Sequence, residues 1–116
     1  MKVTRLYADS HGESHFEDIE IPLNDCGDIG KLSQLQEATG VIFRETGSDY
    51  DYDWHNAPRR QYIIMLSGGV EIEASDGTSR RFGSGDILLV EDTTGKGHRS
   101  KSINNQTRKS IFVTLD

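Results

Sequence analysis

The chain has 116 residues and a mass of 13.0 kDa, with 34% hydrophobic and 28% charged side chains. That is the size of one domain with a modest core, so a single unit over residues 1–116 is expected, and the formal net charge of −6 excludes general affinity for nucleic acid or an anionic membrane surface. The charge is uneven: residues 1–58 carry 12 acidic and 4 basic side chains, while 59–116 carry 7 and 9. An ordinary solvated surface accounts for this, and a basic rim around a pocket for an anionic ligand is the sharper alternative.

Taken in chain order, Met1-Lys2-Val3-Thr4-Arg5 leads into polar residues rather than an apolar targeting run, and no segment approaches the roughly 20 apolar residues of a membrane helix. A cytoplasmic location is expected. Val3–Tyr7 and His15–Ile21 read as strands. His11 and His15 are four apart, but the turn-like Gly12-Glu13-Ser14 between them argues against a helical pair of metal ligands. Cys26 is the single cysteine, so no intrachain disulfide forms, and its Asn-Asp-Cys-Gly loop makes it an exposed bystander. Lys31–Ala38, with Leu32 and Leu35 three apart, is the one helix candidate and makes one or two turns or a loop.

Gly40–Glu45 and Asp49–Trp54 are the next strands. In the second, Asp49, Asp51 and Asp53 alternate with Tyr50, Tyr52 and Trp54, which sends the acids to solvent and the aromatics inward or against a neighbouring subunit. His55 then shares the acidic face unless the strand twists or bulges at its end. Pro58 cannot donate to a ladder and marks a bend before Gln61–Leu66. Val70–Ala74 and Ser79–Phe82 flank Ser75-Asp76-Gly77-Thr78, whose Asp-Gly predicts a hairpin turn. Asp86–Val90, His98–Ile103 and Ser110–Leu115 complete ten short strands. The fold class is all-β: an antiparallel double-sheet jelly roll or small barrel with little helix.

Several chemistries are excluded by spacing. Gly95-Lys96 is no phosphate loop, because Val90 and Gly97 stand where Gly and Ser/Thr are needed. Ser67 lacks the Gly-x-Ser-x-Gly frame, and no Cys-x-x-Cys or His-Glu-x-x-His occurs. The stretch from Thr93 to His98 reads as a flexible lip carrying Lys96 and Arg99 towards an anionic group, with Arg59 and Arg60 flanking the same mouth. At most one of that pair faces inward.

His55, Gln61 and Gly68, followed by Gly85-Asp86 and His98, resemble the two motifs of the cupin family, over the middle 40% or so of the chain. The departures are Ala57 for the second histidine, Gln61 for glutamate, Glu91 for proline, Thr93 for glycine and a longer loop to His98. The resemblance implies a jelly-roll barrel, often a homodimer, holding Fe, Mn, Ni or Zn on three histidines and a glutamate. Carried over residue by residue, the metal ligands are His55 and His98, with Gln61 contributing an amide oxygen. Tyr52, Tyr62 and Arg99 are the expected ligand-binding side chains, and Asp53 is a candidate for the missing negative charge. The expected function is a small single-domain cupin binding a divalent transition metal and a small organic ligand, anionic or neutral. A non-catalytic binding or sensing module with a decayed metal site is the alternative, and a metal-free acid–base isomerase, with His55, Asp53 and Tyr62 or Tyr52, is a third reading.

Overall fold

Turn chemistry and alternation place the ten expected strands, with boundaries moved by a few residues, in a computed structural model that describes Met1 to Asp116. With two further two-residue strands, β3 (Asn24–Asp25) and β4 (Lys31–Leu32), the twelve in chain order are β1 (Lys2–Ala8), β2 (Ser14–Glu20), β3, β4, β5 (Gly40–Thr46), β6 (Asp51–His55), β7 (Gln61–Ser67), β8 (Gly69–Ala74), β9 (Ser79–Gly83), β10 (Ile87–Val90), β11 (His98–Ser102) and β12 (Arg108–Thr114). A six-stranded sheet, β2-β1-β10-β7-β12-β5, packs on a four-stranded sheet, β6-β11-β8-β9, and β3-β4 pair apart from both. This is a double-sheet jelly roll. The β8–β9 turn is the expected hairpin: Gly77 adopts φ +92°, the Ala74 amide donates to Thr78 O at 2.9 Å, and Asp76 Oδ1 accepts from the Thr78 amide at 2.9 Å.

Two expectations are made more specific. The sheets are not wholly antiparallel, because β1 pairs with β10 in parallel, with Thr4 opposite Leu88 and Leu6 opposite Val90. The strands lie far apart in sequence, so no short hairpin dictates their relative direction. The Lys31–Ala38 segment makes no helix: Lys31 and Leu32 pair with Asp25 and Asn24, and the neighbouring helical turn covers only Gly27–Ile29. A short helix needs a packed face, and Leu35, 96% exposed, has none. No helix is long and apolar enough to cross a membrane.

The core lies between the sheets and is small, formed by Leu6, Met65, Val70, Ile72, Phe82 and Leu88 with Ala57, Ala74 and Val90. On β12 the alternation is inverted. Arg108, Ser110 and Phe112 face the interior, while Ile111 and Val113 take the other face. Polar residues on an inward face prevent this part of the sandwich from closing into solid core and leave a cavity.

The β1–β2 and β8–β9 turns are tied by His15, whose Nε2 lies 2.7 Å from Asp9 Oδ2 and whose Nδ1 lies 2.9 Å from Asp76 Oδ2. The hydrogen bond to Asp9, then that to Asp76, raises the imidazole above its ordinary value, and the same contact holds Asp9 at about 2. A raised histidine stabilises the fold fully below the unfolded value near 6.5 and loses that contribution as pH climbs through its folded value. The depressed Asp9 loses its share as pH falls towards about 2. Urea midpoints for wild type and His15→Gln should therefore lie further apart at mildly acidic pH than at alkaline pH. A gap that does not change with pH would show the contact carries no linked proton.

Candidate functional site

The cavity has a volume of about 330 Å³ and 19 lining residues, ten of them hydrophobic. Its polar groups fall into two sets. One set comes from β6, β7 and β11. His55 and His98 stand opposite each other on paired strands, their ring centroids 4.4 Å apart, and the Tyr52 ring lies 4.2 Å from His55. Tyr52 and His55 are an odd number of residues apart, yet both line the cavity because of a bulge: Tyr52 pairs with Ser100 and His55 with His98, so two β6 residues oppose one on β11. The bulge also removes Asp53 from contention. Its carboxylate is exposed and accepts the Trp54 amide, so it brings no charge into the cavity.

Both imidazoles are fixed through Nδ1. His55 donates from Nδ1 to the Asp53 carbonyl at 2.7 Å, and His98 donates from Nδ1 to Asp92 Oδ2 at 2.5 Å. Each Nε2 is thereby left without a protein partner. Burial, with His98 alongside, holds His55 below its ordinary value, so it is a neutral acceptor at neutral pH. Asp92 is fully buried, and its other oxygen bonds nothing. Gln61 on β7 is buried too, and its Oε1 has no partner. Ala57 is packed into the apolar core rather than offering a ligand atom.

The approach of His98 to His55 depends on Gly97. At φ +74°, a side chain there would drive its Cβ into the His55 carbonyl and to 3.2 Å from the Asn56 nitrogen. The expected flexible lip is tied down accordingly. The Lys96 amide donates to Gly12 O at 2.8 Å, and Asn56 Nδ2 donates to Asp92 O and Gly95 O at 3.3 and 3.1 Å.

The second set comes from β5 and β12. Arg44 and Arg108 occupy one wall, with guanidinium carbons 5.3 and 5.1 Å from the Tyr50 ring centroid, and Arg44 also lies 5.4 Å from the Phe112 ring. Tyr50 Oη is 2.7 Å from Ser100 Oγ. Arg108 is 5% exposed, has no carboxylate partner, and its Nε bonds nothing. Burial, reinforced by Arg44, lowers it below the ordinary guanidinium value.

Of the expected site residues, His55, Gln61, His98 and Tyr52 line this cavity, and Tyr62 and Arg99 do not. Period-two geometry is the reason. Tyr62 follows inward Gln61 and therefore faces outward, donating to Gln36 Oε1 at 2.6 Å. Arg99 follows inward His98, lies over Trp54 at 5.3 Å and bonds Glu73 at 2.7 Å. The expected basic mouth is likewise spent elsewhere: Lys96 pairs with Glu13 at 2.7 Å and Arg60 with Glu91 at 2.8 Å. Arg44, Arg108, Tyr50 and Asp92 are the site residues that motif matching missed.

A metal would find three neutral donors here, Nε2 of His55, Nε2 of His98 and Oε1 of Gln61. No group of three or more His, Cys, Asp or Glu side chains is placed to hold one. The Nδ1 anchors to a carbonyl and a carboxylate are those that orient metal-binding imidazoles. The set fits a weakly held borderline cation in donor type and orientation, and lacks the negative charge of a strong centre. His98 backed by Asp92 is also oriented to accept a proton at Nε2.

Protein-family models and curated proteins give no match. Among solved structures, the chain is similar to the Cnp3 cupin domain of Schizosaccharomyces pombe, with a TM-score of 0.54 and 12% identity over 99% of this chain and 88% of that one. It is also similar to the conserved protein SPY1581 of unknown function from Streptococcus pyogenes, at TM-score 0.53 and 20% identity over 73% and 69% of the two chains. Protein NMB1881 from Neisseria meningitidis gives 0.52 and 20% over 70% and 79%. The fold is a cupin fold.

Proposed function

We propose that this cupin-fold chain is a small-molecule-binding domain, taking one small organic ligand in its barrel cavity of about 330 Å³. The observation that supports this reading is that three acceptors without a protein partner, Nε2 of His55, Nε2 of His98 and Oε1 of Gln61, belong to side chains that line one largely apolar cavity. A buried polar atom without a partner costs about 1–3 kcal/mol, so a ligand that donates a hydrogen bond there gains what the empty site lacks. The polar end of the ligand is thus a donor such as a hydroxyl, and its body is apolar.

Isothermal titration with 4-hydroxybenzamide tests this. Binding should weaken about tenfold in Gln61→Leu and in His98→Leu, the loss of one buried hydrogen bond to a neutral group. Unchanged affinity in both variants, or no saturable binding of this compound or its acid, rejects the reading.

A metal-loaded form is the second reading, supported by the Nδ1 anchors of the two histidines. His55, His98 and Gln61 would hold the cation, which would supply Lewis-acid polarisation of a bound oxygen. Stoichiometric metal in untagged protein, lost in His55→Leu, favours it. Probe binding unaffected by chelator favours the first reading.

A further inference from the structure

Eight arginines are present, and five of them, Arg5, Arg60, Arg80, Arg81 and Arg99, are paired with carboxylates at or near the surface. Arg108 is the reverse case: a buried cation with no carboxylate partner, on an inward strand face. A buried cation left unpaired is strongly destabilising, and proteins relieve this with an ion pair or by substitution. Neither is found here. The register adds a second cation and a second unsatisfied group to the same place. Arg108 stands opposite Thr46, whose hydroxyl also bonds nothing, and Ser110 stands opposite Arg44, which makes the two arginines diagonal neighbours on one wall. Both guanidiniums lie within 5.3 Å of the Tyr50 ring centroid. Two like charges on a single wall, with no anion among the cavity-lining residues, describe a site built for an anion.

We propose that Arg108 and Arg44 form the anchor for a carboxylate on the cavity ligand, which makes that ligand a small hydroxy acid: carboxylate on the β5–β12 wall, hydroxyl towards His55, His98 and Gln61. This rests on the cavity-binding reading above and names its ligand class. Carboxylate is favoured over phosphate by the surroundings. The guanidinium fork matches a planar carboxylate, whereas ten of the 19 lining residues are hydrophobic and offer little to solvate a dianion.

The test compares 4-hydroxybenzoate with 4-hydroxybenzamide, equal in shape and different in charge, and with inorganic phosphate, on wild type and Arg108→Met. Wild type should bind the acid at least about tenfold more tightly than the amide. Arg108→Met should lose that preference and, without ligand, should unfold at the same temperature or about 5 °C higher, since a buried unpaired charge has been replaced by an apolar chain of similar length. A lower unfolding temperature for the unliganded variant would make Arg108 a structural strut and overturn the proposal, as would a preference that survives the substitution. Tighter binding of phosphate than of the acid overturns the carboxylate assignment. Binding of neither organic probe removes the cavity reading itself, whereas amide binding with no preference for the acid removes only the anchor.

Discussion

Gly97→Ala should destabilise the domain by about 3–5 kcal/mol and lower its unfolding midpoint by roughly 10 °C or more. Two costs add. An L side chain at φ +74° carries the left-handed penalty of about 1–2 kcal/mol, and its Cβ would also occupy the position of the His55 carbonyl. That carbonyl belongs to backbone at the end of β6, so no side-chain rotation relieves the collision. The strand end or the Gly95–His98 loop must move. Gly77 supplies the control, since it too has positive φ, +92°, but a Cβ there meets nothing within 4 Å. Gly77→Ala should cost only the conformational term, about 1 kcal/mol. Urea denaturation of both variants reads the difference directly, and equal costs would show that the Gly97 contact relaxes freely. Because the displaced atoms carry His55 and His98, Gly97→Ala should also weaken binding of 4-hydroxybenzamide, and Gly77→Ala should leave it unchanged.

The strands were legible because their signals are local. Alternation in Val70-Glu71-Ile72-Glu73 and the Asp-Gly turn after it each involve a few consecutive residues, and the folded chain uses both. The parallel β1–β10 pairing joins distant segments, and no short pattern encodes it. The motif spacing located His55, Gln61 and His98 on one cavity because strand length and turn length together set where a residue lands. Period two, applied strictly, also excludes Tyr62 once Gln61 faces in, and Arg99 once His98 does. The arginine wall was hidden by the same rule that finds cores. On β12, Ile111 and Val113 carry the apolar pattern yet face out, while Arg108 and Ser110 face in, and only a cavity reverses that assignment. Asp92 was illegible for another reason. Its pairing with His98 is made by the fold of the loop between β10 and β11, whose path follows from Gly97 and from the Gly12–Gly95 approach rather than from any periodicity.

Asp92→Ala should cost about 3 kcal/mol and weaken probe binding by up to about tenfold, as loss of the His98 contact itself would, whereas Asp92→Asn should cost about 1 kcal/mol and keep most of it. Asp92 is fully buried, and one of its oxygens accepts the Nδ1 proton of His98. Removing the carboxylate leaves that proton without an acceptor and opens a void beside the ring, which is then free to turn its nitrogens away from the cavity. Asparagine retains an oxygen at the same distance and so keeps the ring in place, at the loss of the charge that strengthens the bond. The backbone carbonyl of Asp92 also accepts from the Ala57 amide at 3.2 Å, and both substitutions preserve that contact, so loop anchoring does not confound the comparison. Nitrogen NMR of the histidine rings reports the tautomer. Wild type and Asp92→Asn should show His98 protonated at Nδ1 with a free Nε2, and Asp92→Ala should show a mixture. If Asp92→Ala kept both stability and probe affinity, the carboxylate would have no part in orienting His98, and the site would reduce to Gln61, His55 and the arginine wall.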